Sequence, residues 1–333
     1  MTSLHPARFY HRDKECVCDL CPHHCILAPE ERGLCRVRRG SGDSVVIPWY
    51  GYVTALAVDP VEKKPLYHWR PGERIFSVGF AGCNLRCPFC QNAAISQSTD
   101  GPGRYLPPEQ LVEAAKENAC ESIAYTYSEP LVHAEYLVDC MKASRRAGIA
   151  NVLVTNGCAE GEAAKEVLEL SDAANIDLKC FDEKSYKTIL GGDLKTVLLF
   201  IKNALSYGVH VEITTLVVSG FNDRENELDG IAGWIADAGA PVWHLSAYRP
   251  GWKYSAPQTD PAFLVKTARR AKKKLPFVYL GNIDSPPEFR DTRCTECNAL
   301  LAGRRFRTSA AGLVLKNGMY FCASCGAKTP FTF

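Results

Sequence analysis

The chain has 333 residues, 46% of them apolar, which is enough for one large domain with small additions and a sizeable core. Its 39 basic and 37 acidic residues leave a formal charge of +2, which excludes strong global attraction to nucleic acid or anionic membranes. No apolar run approaches the roughly 20 residues that span a bilayer. The polar start and sixteen cysteines, most of them in tight groups, favour a cytoplasmic protein with reduced thiols over a secreted disulfide scaffold.

The first predicted domain, residues 1–70, is irregular and rich in cysteine. Its candidate metal ligands follow the spacing C-x2-C-x3-C-x9-C, which differs from the ferredoxin runs. They are Cys18, Cys21, Cys25 and Cys35. Four thiolates in so short a segment suit a tetrahedral zinc ion or an auxiliary iron–sulfur cluster equally well. A set of unligated thiols is disfavoured, because an irregular loop of this kind needs a crosslink to be ordered.

The second predicted domain, residues 71–285, alternates short apolar runs with helical periodicity, which is the pattern of repeated βα units around a parallel sheet. The strand candidates are RIFSVGF, SIAYTY, IANVLVT, AANIDLK, VHVEITTLVV and PVWHLSA. Helices are expected near residues 108–118, 130–147, 159–170, 194–207, 222–238 and 261–274. Pro108 and Pro261 suit first helical positions, and Asn222 with Glu225 resembles a capping box. Six units predict an α/β fold, an incomplete (β/α)6 barrel of the TIM type that binds ligands at the C-terminal ends of its strands.

A compact cysteine motif follows the first predicted barrel strand. Cys83, Cys87 and Cys90 have the spacing C-x3-C-x2-C, after a turn that contains Gly79 and Gly82. The glycines are expected to let the backbone approach a bulky inorganic group. Three thiolates can hold three corners of an iron–sulfur cube and leave the fourth iron open. The alternative of buried or zinc-binding cysteines accounts less well for strand, turn and spacing together.

This motif, with Phe89 before its last cysteine, resembles that of the radical S-adenosylmethionine superfamily. The resemblance extends over nearly the whole chain to the radical enzymes found with Memo and AMMECR proteins, a family related to the activating enzymes of pyruvate formate-lyase. It is carried by CDLCPHHCILAPEERGLCRVR, DPVEKKPLYHW, AGCNLRCPFCQN, YTYSEP, TTLVVSGFND, YRPGWK and the final cysteine pairs. The resemblance implies a [4Fe–4S] cluster whose open iron chelates S-adenosylmethionine. It also implies a 5′-deoxyadenosyl radical that abstracts hydrogen from a substrate.

The resemblance further assigns the loop after the second strand to the cofactor. Tyr127, Ser128 and Glu129 take the place of a Gly-Gly-Glu loop that contacts the methionyl amino group, although both glycines are replaced. The contact is expected through Glu129 or the local backbone. As an alternative, Glu129 and Pro130 simply begin a helix.

Polar residues also end the third and fourth predicted strands. They are Thr155 and Asn156, and Asp177 and Lys179, respectively. By resemblance to the activating enzymes, Asn156 and Asp177 are assigned to the ribose and Lys179 to the carboxylate of S-adenosylmethionine. Ordinary caps and turns are the alternative.

Two further side chains are candidates for the same cofactor site. The resemblance implies that Phe89 packs on the adenine. His244, on the sixth strand, is expected to join the polar group, although a lone histidine in an apolar strand is often a satisfied core residue. Val217 and Val218 form either an apolar wall of the site or part of the core.

The third predicted domain, residues 286–333, carries two C-x2-C pairs around an alternating stretch with Asn317-Gly318 as its turn, which predicts a zinc ribbon. The zinc ligands are Cys294, Cys297, Cys322 and Cys325. Arg304, Arg305 and Arg307 could touch nucleic acid or a partner. A solvated face is favoured, because the chain as a whole is nearly neutral.

These observations support two classes of function. The first is an enzyme that reductively cleaves S-adenosylmethionine, with a small molecule or peptide, or a glycyl radical protein, as its substrate. The resemblance then implies a low-potential electron donor such as ferredoxin or flavodoxin, and Memo-like and AMMECR-like partners, with no nucleic acid or membrane. The second is a metal-dependent module that binds RNA or protein and has a structural or electron-carrying cluster. The open corner of the three-cysteine motif favours the enzyme.

Overall fold

The computed structural model describes residues 4–98 and 103–332. Short antiparallel strands make up the N-terminal segment, in which β5 lies between β1 and β4, and β2 pairs with β3. The strands are β1 (His5–Pro6), β2 (Tyr10–Arg12), β3 (Cys16–Cys18), β4 (Arg39–Ser41), β5 (Ser44–Ile47) and β6 (Tyr52–Val53). Apolar residues of these strands and of the loops between them form a small core that includes Phe9, Leu20 and Trp49.

The barrel is an eight-stranded sheet in the order β7-β8-β10-β11-β12-β13-β14-β15. Its elements are β7 (Ala55–Pro60), β8 (Arg74–Gly79), α1 (Ala93–Ser96), β9 (Arg104–Tyr105), α2 (Pro108–Glu117), β10 (Ser122–Thr126), α3 (Ala134–Arg146), β11 (Ala150–Thr155), α4 (Gly161–Leu170), β12 (Ala173–Asp177), α5 (Glu183–Ser185), α6 (Leu194–Ser206), β13 (His210–Val217), α7 (Glu225–Asp237), β14 (Val242–Ala247), α8 (Pro261–Ala271) and β15 (Phe277–Gly281). Only β7 is antiparallel to its neighbour within this sheet. β9 lies outside it and pairs with β6.

The prediction of an incomplete α/β barrel is confirmed, and its six predicted strands are β8 and β10 to β14. A seventh parallel strand, β15, was not predicted. It lies within LPFVYLGN, and the helix after it, α9 (Pro287–Arg290), is too short to show helical periodicity. Helices occur in all six predicted regions, and Pro108 and Pro261 stand at the starts of α2 and α8. No helix in the described ranges is long and apolar enough to cross a membrane.

The predicted capping box at Asn222 is wrong. Helix α7 begins at Glu225, with Arg224 as its cap residue. The Asn222 side chain accepts a hydrogen bond from Val218 N (2.7 Å) and donates to the carbonyl of Lys179 (2.6 Å). Asn222 therefore joins the ends of two strands instead of capping a helix, because its amide satisfies buried backbone groups that have no other partner there.

A buried ion pair attaches the N-terminal segment to the barrel. Arg38 donates two hydrogen bonds to Glu135 on α3, at 2.7 and 2.8 Å, and each side chain is only 1% exposed. The backbone N–H of Arg8 also donates to Glu135, at 2.8 Å. A further link runs from Glu160 N to the carbonyl of Leu20 (3.2 Å). The segment therefore packs beside the starts of α3 and α4, at the C-terminal end of the parallel sheet.

The C-terminal segment is a small β structure that contacts the opposite end of the barrel. Its strands are β16 (Thr292–Arg293), β17 (Leu300–Ala302), β18 (Leu313–Lys316), β19 (Met319–Cys322) and β20 (Lys328–Thr332). β18 and β19 form the predicted hairpin, and Asn317 and Gly318 both have positive φ, as a tight turn of type I′ requires. Thr332 N donates to the carbonyl of His68 (2.8 Å).

Candidate functional site

A cavity of about 370 Å³ opens at the C-terminal ends of the parallel strands. This size lies within the range of roughly 300–1,000 Å³ that is usual for small-molecule sites. Every residue assigned from the sequence to the cluster or cofactor, except His244, lines it. These residues are Cys83, Cys87, Phe89, Cys90, Tyr127, Ser128, Glu129, Thr155, Asn156, Asp177 and Lys179. The ends of the parallel strands therefore bring together side chains that are up to 96 residues apart in the chain.

The three-cysteine loop begins directly after β8 and forms one wall of the cavity. All three thiols are free of disulfides. Leu85 N donates to Cys83 Sγ (3.3 Å), and Cys90 Sγ lies 3.3 Å from Ser96 Oγ. Burial, with the nearby charge of Glu129, raises the pKa of Cys83 well above its usual value. A metal cluster would offset this cost, because coordination deprotonates a thiol.

The two glycines near this loop make room for protein atoms. A Cβ on Gly82, whose φ is +89°, would lie 2.6 Å from the carbonyl oxygen of Cys35. A Cβ on Gly79 would lie 2.9 Å from the ring of Tyr127. The expectation that both glycines admit an inorganic group is therefore corrected, because the spaces beside them hold an N-terminal carbonyl and an aromatic ring.

The loop after β10 contains a backbone conformation that is usually occupied by glycine. Tyr127 has a φ of +69°, in the left-handed region. Its hydroxyl donates to Asp59 (2.7 Å), and Lys64 Nζ lies 4.5 Å from its ring centroid. These contacts hold Tyr127 in the left-handed conformation. In the Gly-Gly-Glu loop that the resemblance implies, a glycine would stand at this position.

Glu129 is 1% exposed and accepts three hydrogen bonds from the protein. Leu131 N (3.1 Å) and Thr155 Oγ1 (2.6 Å) donate to Oε1, and Asn156 N (2.8 Å) donates to Oε2. Burial raises the pKa of Glu129 to about 7 although these donors favour the carboxylate. A carboxylate accepts about four hydrogen bonds, so one acceptor position is left for a ligand. Glu129 therefore caps the short 3₁₀ helix at Pro130–His133 and also faces the cavity.

Asn156 connects the third strand to the cysteine loop. Its Nδ2 donates to Asn84 Oδ1 (3.0 Å) and lies 3.7 Å from Cys83 Sγ, while its Oδ1 accepts from Cys158 N (2.8 Å). Asn84 in turn donates to the carbonyl of Cys158 (2.7 Å). Asn156 thus holds the first cysteine in place, a contact that strand-end reasoning did not identify.

Asp177 and Lys179 form an ion pair at the end of β12, with 2.8 Å between Lys179 Nζ and Asp177 Oδ2. Burial would lower the pKa of Lys179, but the charges of Asp177 and Cys87 outweigh it and hold this pKa above its usual value. The ammonium therefore stays charged, facing the three cysteines. It is available to an anionic group on a ligand.

Phe89 lines the cavity and packs against Phe221 and Tyr254, with ring centroids 5.1 and 5.9 Å away. Val217 and Val218 are completely buried within the main hydrophobic cluster and do not line the cavity. For these two valines, the core alternative is the one that the structure supports.

His244 lies away from the cavity. Its Nε2 is 2.6 Å from Glu212 Oε2, and its ring packs on Tyr67 and Tyr279. Glu212 also accepts from the backbone N–H groups of Tyr67 and His68. His244 is therefore a satisfied core histidine that helps to bind the segment before β8, and we do not include it in the proposed cofactor site.

Sequence reasoning missed several residues that line the cavity. They are Pro65, Leu85, Gln91, Asn92, Ser96, Thr126, Val154, Thr214, Leu216, Ser246 and Asn282. The two-residue periodicity of β13 could have identified Thr214 and Leu216, because side chains on one face of a strand alternate. Within the described residues, the buried hydroxyls of Ser128 and Thr214 have no hydrogen-bond partner. Both are available to a bound ligand.

The C-terminal cysteine pairs converge outside the barrel. All four sulfurs lie within 4.8 Å of one another, and the Cys294–Cys325 and Cys297–Cys322 distances are both 3.7 Å. Four thiolates at Zn–S distances of about 2.3 Å around a tetrahedral zinc ion would stand about 3.8 Å apart. The arrangement is therefore compatible with a zinc ribbon. Of the nearby arginines, Arg304 is partly buried and donates to the carbonyl of Tyr67 (2.7 Å).

The comparisons with known proteins agree with this geometry. The Radical SAM superfamily model matches residues 77–229, which hold the cysteine loop and the strand ends up to β13. An uncharacterized protein of Methanocaldococcus jannaschii, MJ0808, is 36% identical, with 98% of each chain covered. The chain is thus an enzyme of the radical SAM superfamily. It is similar to the Methanocaldococcus protein in its N-terminal and C-terminal segments as well.

More distant similarity is limited to parts of the chain. The pyruvate formate-lyase-activating enzyme of Clostridium pasteurianum is 28% identical over 50% of this chain and 70% of its own. The crystal structure of Streptococcus suis SuiB bound to S-adenosylmethionine has a TM-score of 0.54 at 15% identity, covering 81% of this chain and 65% of that one. This second likeness supports the fold. Membership of an enzyme superfamily disfavours the alternative of a passive binding module.

Proposed function

We propose that the protein binds S-adenosylmethionine at a [4Fe–4S] cluster held by Cys83, Cys87 and Cys90. The bound cluster would supply one electron that cleaves the sulfonium bond and gives a 5′-deoxyadenosyl radical, which abstracts hydrogen from a substrate. The observation that carries this proposal is the meeting of three free thiols with Glu129 and Lys179 in one cavity.

The chain's own residues have distinct roles in this proposal. Lys179, kept charged by its neighbours, binds the carboxylate of S-adenosylmethionine. The remaining acceptor position of Glu129, or the carbonyls of its loop, takes the methionyl amino group. Asp177 contacts the ribose, and Phe89 supports the adenine. The side-chain amide of Asn156 is occupied by the cysteine loop, so its role is to position Cys83, in addition to any ribose contact.

The test is anaerobic and starts from protein reconstituted with iron and sulfide. We expect reduced protein to convert S-adenosylmethionine to 5′-deoxyadenosine, measured by chromatography, and Cys87→Ala to abolish it. Cys120→Ala is the matched control, because Cys120 is a buried barrel thiol that does not line the cavity. Cleavage that persists in Cys87→Ala would refute the proposed cluster site.

A glycyl radical activase is a second candidate, and one observation keeps it open. Of the described residues in the first seventy, only Lys63 and Pro65 line the cavity, so the N-terminal segment does not fill the space that a partner's loop would enter. The similarity to the pyruvate formate-lyase-activating enzyme also supports this candidate. Incubation with a glycyl radical enzyme should then give a carbon-centred doublet in the EPR spectrum. Its absence with active protein would favour a small molecule or peptide.

The proposal also includes partners and further metals. A low-potential donor such as ferredoxin or flavodoxin would supply the electron in a reducing cytoplasm, and the four C-terminal cysteines would bind zinc. Memo-like and AMMECR-like proteins are proposed partners by family resemblance, and calorimetric titration of each purified protein into this one tests the association.

A further inference from the structure

The four N-terminal cysteines predicted as metal ligands form one group in the folded chain. The thiol of Cys18 lies within electrostatic range of Cys35, Cys21 and Cys25, and that of Cys35 also lies within range of Cys21 and Cys25. Cys18 N donates to the carbonyl of Cys25 (3.0 Å), which joins β3 to the following turn. None of the four forms a disulfide. We call them the four-cysteine group.

The spacing of the sulfurs separates a single metal ion from a cluster. Between residues 4 and 98, and from 103 to 332, three or more metal-ligating atoms come within 4.8 Å of one another only at the C-terminal cysteines. The four-cysteine group is wider, and so are Cys83, Cys87 and Cys90. Thiolates on one zinc ion stand about 3.8 Å apart, whereas an iron–sulfur cube binds each thiolate through a different iron and keeps the sulfurs farther apart. In this spacing the four-cysteine group resembles the three cysteines of the proposed catalytic cluster and differs from the C-terminal cysteines.

The surroundings of the group also suit bound thiolates. Leu34 N donates to Cys25 Sγ (3.5 Å). Backbone N–H groups also approach the sulfurs of Cys18, Cys21 and Cys35, and the buried guanidinium of Arg38 lies within electrostatic range of Cys18 and Cys35. Hydrogen bonds and positive charge at the sulfurs offset the negative charge of a cluster and adjust its reduction potential.

The group lies directly against the loop of the proposed catalytic cluster. The carbonyl of Cys35 occupies the space that a side chain at position 82 would need. His23 Nε2 is 2.8 Å from the carbonyl of Asn84. The side chain of Asn84 interacts with Cys21 and is hydrogen-bonded to Asn156, which reaches Cys83 Sγ. The side chains of Asn84 and Asn156 therefore connect a thiol of each site.

We propose that Cys18, Cys21, Cys25 and Cys35 hold a second [4Fe–4S] cluster, which passes electrons through Asn84 to the cluster at Cys83, Cys87 and Cys90. The electron transfer, but not the second cluster itself, rests on the proposed function. A low-potential protein donor such as reduced flavodoxin gives one electron to the oxidised N-terminal cluster. That cluster is reoxidised when the same electron reduces the catalytic cluster. No atom or proton is transferred.

Metal analysis tests the second cluster independently of activity. We expect about eight irons and eight sulfides per reconstituted chain, which is two cubes, and about half of each in Cys25→Ala. Cys16→Ala is the matched control, because Cys16 is a buried thiol of the same segment outside the group, and it should keep both cubes. About four irons and a second zinc ion in the wild type would overturn the proposal.

EPR of the wild-type protein tests the second cluster without a variant that could misfold. The reduced wild-type protein should show two [4Fe–4S] signals by EPR, only one of which shifts when S-adenosylmethionine is added. A single signal would overturn the second cluster. Two signals in a protein that makes no 5′-deoxyadenosine would contradict the proposed function and leave the second cluster standing.

Electron transfer is tested by mixing oxidised protein rapidly with reduced flavodoxin and freezing samples for EPR. We expect the S-adenosylmethionine-responsive cluster to be reduced at least tenfold more slowly in Cys25→Ala and in Asn84→Ala than in the wild type. Asn84→Ala should keep both cubes. A slow reduction in this variant would therefore come from the lost Asn84 side chain and not from the loss of a cluster. Equal rates in all three proteins would overturn the transfer step.

Discussion

Glu129 is the residue in which structural and ligand-binding roles coincide. Its carboxylate ends a strand loop, caps a helical turn and holds Thr155 and the backbone of Asn156, all while facing the cavity. Such a carboxylate fixes the geometry of the cofactor loop before any ligand arrives. Preorganisation of this kind reduces the cost of binding.

The raised pKa of Glu129 predicts a pH dependence of stability. Since the folded protein holds this proton up to about pH 7 and the unfolded chain only to about 4.5, stability falls as pH rises through that window and is constant above it. We expect the free energy of unfolding of Glu129→Gln to fall less between low and high pH than that of the wild type, by up to roughly 3 kcal/mol. Anaerobic urea unfolding at pH 5 and pH 8 measures it.

Glu166→Gln is the control for this measurement, because Glu166 is a partly exposed carboxylate that pairs with Arg8 on the surface. Its pH dependence should match the wild type. A decline of the same size in Glu129→Gln and in the wild type would show that other groups cause it.

Residue-scale prediction from sequence worked where strand order alone decides position. Asp177 ends a strand and Lys179 follows it, so the fold places both at the cavity whatever their contacts. His244 lies on a predicted strand too, but only the neighbouring carboxylate of Glu212 shows that its ring is used elsewhere. Such a partner is 32 residues away and leaves no local signal.

At the scale of elements, the ion pair between Arg38 and Glu135 joins the N-terminal segment to α3. Removing one partner of a fully buried pair leaves an uncompensated charge, so we expect Glu135→Ala to cost about 3–5 kcal/mol in the free energy of unfolding. Glu166→Ala, at a surface pair, should cost about 1 kcal/mol or less. Denaturant unfolding of both variants compares the two.

Burial opposes ionisation of Glu135, but Arg38 outweighs it and holds the pKa of this carboxyl below its usual value. The stability that the pair provides is therefore present above the unfolded pKa and is lost as the pH falls toward the folded one. If Glu135→Ala and Glu166→Ala cost the same, the ion pair does not anchor the segment.

Helices and parallel strands were largely predictable, because their periodicity is local. The attachment of the N-terminal segment was not, since Arg38 reads as one basic residue among many and its partner is 97 residues away. The close approach of Cys35 to Gly82 was equally hidden, because a glycine in a turn has many explanations.

On the scale of the whole molecule, cysteine groups lie at both ends of the barrel. The C-terminal segment is attached by Arg304, which donates to the carbonyl of Tyr67, and by Thr332, whose N–H donates to the carbonyl of His68. These contacts are at the end of the sheet opposite to the cavity. No residue of the described C-terminal segment lines the cavity.

This separation predicts independent metal loading. We expect Cys297→Ser to lose one zinc ion per chain while its iron content and 5′-deoxyadenosine yield stay within about twofold of the wild type. Inductively coupled plasma mass spectrometry of the purified variant measures both metals. Loss of iron together with zinc would show that the ribbon is needed for the barrel to fold.

The contacts of the N-terminal segment also determine when it can be completed. Its cysteines leave the ribosome first, yet Gly82, Glu135 and Glu160, on which the segment packs, are synthesised later. Until then the segment lacks these contacts with the barrel. The packing of the N-terminal segment against the barrel thus forms only after the first half of the barrel has been synthesised.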